Sequence, residues 1–117
     1  MRRLILAATA VLGAASDAPA QTSYWNGNDL LRNCSLRPMT PEGLSLASQC
    51  QGYVLAVADM MGHFPLGGFR ACVPVGTVPV SQLVDIATNH LRANADSRHL
   101  LAAGLVAQAL SRAFPCP

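Results

Sequence analysis

The side chains that could do chemistry are few: four cysteines, three histidines and six carboxylates in 117 residues. Cys34, Cys50, Cys72 and Cys116 are widely spaced and form no Cys-x-x-Cys pair, the spacing a zinc site favours. An even cysteine count in an exported chain reads instead as two disulfides. A cysteine nucleophile beside a histidine base needs a free thiolate, and oxidation removes it. His63, His90 and His99 include no His-x-x-x-His pair that would set two rings on one helix face. Asp59 and Asp85 are the only carboxylates on helical stretches that could form an acid–base pair, and their spacing does not bring them together. There is no Gly-x-Ser-x-Gly elbow, phosphate loop or calcium loop. The sequence therefore assigns no catalytic residue, no metal ligand and no cofactor, and an enzyme is not expected.

The redox argument depends on export, and the N-terminus supplies it. Arg2 and Arg3 precede an apolar run from Leu4 to Ala15, too short to cross a bilayer as a helix. Ala18-Pro19-Ala20 then offers the small-x-small pattern of a signal-peptidase site. Residues 1–20 read as a signal peptide cleaved after Ala20, and 21–117 as one mature periplasmic domain. No later stretch is long and apolar enough to span a membrane. The mature part has six arginines, no lysine and five acidic residues. A net charge of about +1 is too weak for a nucleic-acid partner. A chain this short buries a modest share of its surface, so covalent staples matter.

The elements that would position these residues are helices. Gln21 to Gly27 reads as an extended arm, with Tyr24 and Trp25 in it. Asn28 can cap a first helix that has Asp29 in its first turn and sets Leu30, Leu31 and Cys34 on one face, with Pro38 and Pro41 ending it. A second helix is expected from Gly43 or Leu46 to Met61, burying Ala47, Cys50, Val54, Val57 and Met61. Pro79 sits in the first turn of a third, which buries Val80, Leu83, Val84, Ala87 and Leu91. Asp96 or Ser97 caps a fourth, with His99 in its first turn and a nearly all-apolar run from Leu100 to Leu110 that marks it as central. Pro115 stops it and Cys116 ties down the end. The expected fold is all-α, a small four-helix bundle stapled by two disulfides. Of three possible pairings, Cys34–Cys50 and Cys72–Cys116 suit this order, since each joins neighbouring elements. By loop entropy they contribute about 3 and 4 kcal/mol.

One segment does not look like simple connection. Gly62 to Arg70 has three glycines and a proline, yet holds Phe64, Leu66 and Phe69, flanked by His63 and Arg70. Apolar side chains on an exposed segment mark contact surfaces, and aromatic and arginine side chains are the usual anchors. His63, Phe64, Phe69 and Arg70 are the candidate partner-binding residues. The alternative is that the two phenylalanines tuck under the loop and complete the core.

Several strings in order resemble one family. They are Gly27-Asn28-Asp29-Leu30-Leu31-Arg32-Asn33-Cys34, the run from Cys50 to Asp59, Cys72-Val73-Pro74, Gln82-Leu83-Val84-Asp85, the run from Arg98 to Val106, and Ala113-Phe114-Pro115-Cys116. Together they resemble the Rap/Tai immunity proteins of type VI secretion over nearly the whole mature chain. That resemblance implies a mostly helical periplasmic protein, often a homodimer, that binds a peptidoglycan amidase effector and occludes its active-site groove. The Gly62–Arg70 loop is the candidate groove-filling element, although its residues match no motif of the family. Pro79 departs from the family by standing where a polar helix cap is common. A second reading of the residues is a stress or chaperone-like envelope protein with no amidase partner. Three histidines and few carboxylates give it few acid triggers. A structural subunit of an envelope assembly is a third.

Overall fold

The computed structural model describes residue 13 and residues 24–36, 39–74 and 76–117. The expected leader and its cleavage site lie outside these, Gly13 apart. So do residues 21–23 of the expected arm and Pro38. Four α-helices follow in order: α1 (Gly27–Ser35), α2 (Pro41–Met61), α3 (Val80–Ala93) and α4 (Ala102–Ala113), with a short 3-10 turn at Ala95–Ser97. Among the described residues there is no strand, only two isolated bridges, Asn26 with Leu101 and Leu66 with Phe69. The all-α four-helix bundle expected from periodicity is present.

Local chemistry moved several helix starts. The cap of α1 is Asn26, not Asn28. Its Oδ1 accepts the Asp29 N–H at 3.0 Å, while Asp29 Oδ2 accepts the Asn26 N–H at 3.1 Å. This reciprocal capping box satisfies two donors that Asn28 could not reach. Pro41 does not end the first helix. It opens α2, where its missing N–H costs nothing, and Thr40 Oγ1 accepts the Gly43 N–H at 3.0 Å. Pro79 is the cap residue of α3, one position ahead of its first turn.

The start of α4 differs most. Asp96 and Ser97 belong to the 3-10 turn, His99 precedes the helix, and Leu101 is the cap residue without a side-chain cap bond. The Ala102 N–H instead donates to the Trp25 carbonyl at 3.1 Å. In return the Gly27 and Asn28 N–H groups donate to the Leu100 and Arg98 carbonyls, each at 3.0 Å. The orphan N–H groups that open α1 and α4 are thus each satisfied by carbonyls of the segment preceding the other helix.

All four helices share one core. Leu30 from α1, Val54 from α2, Leu91 from α3 and Val106 and Leu110 from α4 are fully buried. Each such side chain contributes about 1.5–3 kcal/mol. The expected stripe on α2 is inward at Cys50, Val54, Val57 and Met61, with Ala47 half-buried. On α3, Leu83, Ala87 and Leu91 are buried and Val80 and Val84 half-buried. The apolar α4 is the central helix, with Ala102, Leu105, Val106, Ala107, Ala109 and Leu110 buried. Both disulfides form in the expected pairing, Cys34–Cys50 and Cys72–Cys116, with Cα–Cα distances of 5.1 and 5.0 Å.

Candidate partner-binding loop

Helix α2 ends where Gly62 donates to the carbonyls of Ala58 and Asp59, and the His63 and Phe64 N–H groups both return to the Met60 carbonyl. The chain therefore leaves the helix as a continuation of its last turn, and Phe64 is held close to α2. Beyond Pro65 the chain reverses sharply. Leu66 and Phe69 exchange both backbone hydrogen bonds, at 2.9 and 3.0 Å. The two residues between them, Gly67 and Gly68, have φ of 57° and 83°. Two consecutive positive φ values are the requirement of a type I′ turn, and glycine adopts them without a steric cost. Leu-Gly-Gly-Phe is the sequence signal of such a hairpin, and a helix-only reading passes over it.

The hairpin divides the apolar residues of the loop. Leu66 and Phe69 are half-buried and pack against the core. Phe64 is 63% exposed, and His63, Pro65 and Arg70 are exposed around it. The His63 and Phe64 rings lie 6.2 Å apart, tilted by 49°. The two phenylalanines thus do different things: Phe69 anchors the loop and Phe64 is presented by it. Arg70 turns toward the C-terminus and lines an open groove with Cys72, Ser111, Pro115, Cys116 and Pro117.

Met60, half exposed one helical turn before Phe64, extends the apolar face. The helical stripe that buries Met61 places Met60 on the outer side. A flexible thioether is common at surfaces that must adapt to a partner. The arm is divided as well. Tyr24 is 98% exposed, whereas Trp25 stacks on Tyr53 with ring centroids 5.2 Å apart. Burial pushes the Tyr53 hydroxyl above the usual tyrosine range, opposed by a hydrogen bond with the Ala103 backbone.

The remaining titratable groups are not gathered. Among the described residues no three His, Cys, Asp or Glu side chains are placed to hold a metal. The ion pair found among them is Arg32 with Asp29 at 3.0 Å, one turn apart on α1. His90, at the end of α3, is held below the ordinary histidine range by burial and by the Arg112 guanidinium. Gln108 lies near enough to favour its charged form, yet Nε2 is buried without a hydrogen bond of normal geometry. On its other side, Asn94 Nδ2 lies 3.3 Å from Nδ1 and donates to the His90 carbonyl at 2.8 Å. This is packing at a helix end, remote in sequence from the loop.

Fold and loop together define a small, disulfide-stapled helical protein that presents an aromatic ring from a braced turn. The chain belongs to the Rap1a immunity proteins, whose family model matches residues 26–116. The match begins at the Asn26 cap of α1 and ends at the last disulfide cysteine. No curated protein matches the chain. An immunity protein has an effector as its partner, and no helix among the described residues is long and apolar enough to cross a membrane.

Proposed function

We propose that this protein is a periplasmic, non-enzymatic inhibitor that binds a peptidoglycan amidase effector and blocks its active-site groove with the Gly62–Arg70 loop. The observation that carries the reading is Phe64, exposed on a loop whose other apolar residues, Leu66 and Phe69, are engaged with the core. A braced aromatic ring loses little conformational entropy on binding. His63 and Arg70 flank it with donors suited to the polar rim of a hydrolase groove, and Phe69 anchors the loop to the core. Family membership supports an effector as partner. Export through the leader with cleavage after Ala20 and the homodimer implied by the family belong to the same reading. N-terminal sequencing of the secreted form and sedimentation equilibrium test those two points.

The direct experiment is inhibition of a cell-wall amidase effector by the purified protein. The oxidised chain is expected to suppress cleavage of cross-linked peptidoglycan at near-stoichiometric concentration. Phe64→Ala is expected to weaken inhibition about thirtyfold, the scale of an interface hot spot. Full inhibition by the variant would remove the loop from the mechanism. Failure of the parent to bind would remove the amidase.

A further inference from the structure

The two disulfides differ in one partner each, buried Cys50 against exposed Cys72. Cys50 is 1% exposed on the inner stripe of α2, and its partner Cys34 is half-buried in the last turn of α1. The bond is therefore shielded from solvent on its Cys50 side. Cys72 is exposed and Cys116 half-buried, and both line the open groove shared with Arg70. Arg70 forms no ion pair among the described residues, so its charge acts on whatever occupies the groove. Helical structure does not enclose this bond. Cys72 lies in an extended segment and Cys116 beyond the end of α4.

Thiol–disulfide exchange needs an anionic thiolate to reach one sulfur along the S–S axis, and it is accelerated where positive charge stabilises the thiolates involved. Greater accessibility and an arginine without an ion pair among the described residues coincide at Cys72–Cys116, whereas Cys34–Cys50 has one buried cysteine and the nearby Arg32 is paired with Asp29. We propose that Cys72–Cys116 is an exchange site, opened in the folded protein by a dithiol reductant that enters the groove, while Cys34–Cys50 stays closed. The reductant's thiolate attacks Cys72 Sγ. The bond to Cys116 Sγ breaks, and Cys116 leaves as a thiolate that takes a proton from water. The second thiol of the reductant, deprotonated in turn, attacks the mixed disulfide and releases the Cys72 thiolate. The reductant departs as its own disulfide, and its two electrons have reduced the protein disulfide. Arg70 attracts the incoming thiolate and stabilises the departing ones.

Opening the bond leaves the segment after the loop tied to the C-terminus by the backbone bond from Cys72 N–H to the Phe114 carbonyl, 2.9 Å. The loop would then keep that bond and the core packing of Ala71 and Val73 as its downstream mooring, without the covalent link. An effect of this loosening on inhibition rests on the proposed function, whereas the exchange does not, so the test needs no partner.

The oxidised full chain is exposed to dithiothreitol, quenched at intervals with iodoacetamide, and each cysteine's alkylation is read by peptide mass spectrometry. Cys72 and Cys116 are expected to be labelled at least about tenfold faster than Cys34 and Cys50, as accessibility dictates. The rate should not change in urea below the unfolding transition, because no surface is exposed beforehand. Arg70→Gln should slow opening about threefold at low salt, with the difference fading as salt screens the charge. Equal rates for the two pairs, Cys34–Cys50 opening first, or acceleration by dilute urea would overturn the proposal. An Arg70→Gln rate equal to the parent's would overturn the role given to Arg70.

Discussion

Two of the connections that display apolar residues to solvent, α2–α3 and α3–α4, are built in opposite ways. Between α3 and α4, Leu100 and Leu101 are exposed, but the backbone around them is tied to the start of α1 by three hydrogen bonds linking residues 25–28 with residues 98–102. Between α2 and α3, Phe64 is exposed on a segment whose turn is closed locally, by Met60 and by the Leu66–Phe69 exchange. The first connection is part of the architecture. Its backbone donors and acceptors serve two helices, and its composition is constrained by close packing. The second is held by one half-turn of helix, two positive-φ glycines and two half-buried side chains. Phe64, ahead of that glycine turn, can change residue without disturbing a helix. Exposure alone does not mark a recognition surface; exposure on a segment that the fold does not otherwise need is the more telling sign.

Substitutions can break this contrast, and the largest effect is expected at Gly27. A Cβ there would lie 2.6 Å from Leu105 Cδ1, 2.9 Å from the Arg98 carbonyl oxygen and 3.0 Å from Arg98 Cα. Two of those atoms are backbone in the tied connection and cannot rotate away. Gly27→Ala is expected to cost about 3 kcal/mol, lowering the melting temperature by about 10–20 °C in thermal denaturation. An unchanged melt would mean the connection is as free as the loop. Next comes Phe69→Ala, expected to cost about 1–2 kcal/mol in denaturant unfolding, less than a fully buried ring. Asn26→Ala removes one half of the capping box, at a cost of about 1 kcal/mol by the same assay.

The two smallest effects sharpen the comparison. Phe64→Ala should leave stability within about 0.5 kcal/mol of the parent, so that its loss of inhibition reads as lost contact. A collapse of the fold would place Phe64 in the core with Phe69. His90, on the helix that leads into the tied connection, should give a pH signature. Burial and Arg112 hold its folded pKa below the ordinary histidine value, so the fold favours the neutral ring. The unfolded chain then binds more protons between the two pKa values. The contribution is full above the ordinary histidine value and is lost as pH falls through the folded one. Melting temperature measured from pH 8 to pH 5 should therefore fall, and His90→Gln should flatten that part of the profile.

The residues alone determined which faces turn inward and which sulfurs could meet. Cys50, Val54, Val57 and Met61 repeat at helical spacing, and any compact arrangement must bury that stripe because apolar area dominates the driving force. The cysteine pairing followed from helix order, since a disulfide spans only neighbours. The loop was recognisable as unusual from its glycines among aromatics. Which of its rings faced out was not, because Phe64 and Phe69 differ only in where a two-glycine reversal puts them. The start of α4 lay beyond any local reading. Its cap is the carbonyl of Trp25, and Gly27 is small because Leu105 and Arg98 crowd it. Periodicity and capping residues act over one or two turns, whereas these contacts join residues some 75 positions apart and exist only once four helices have packed.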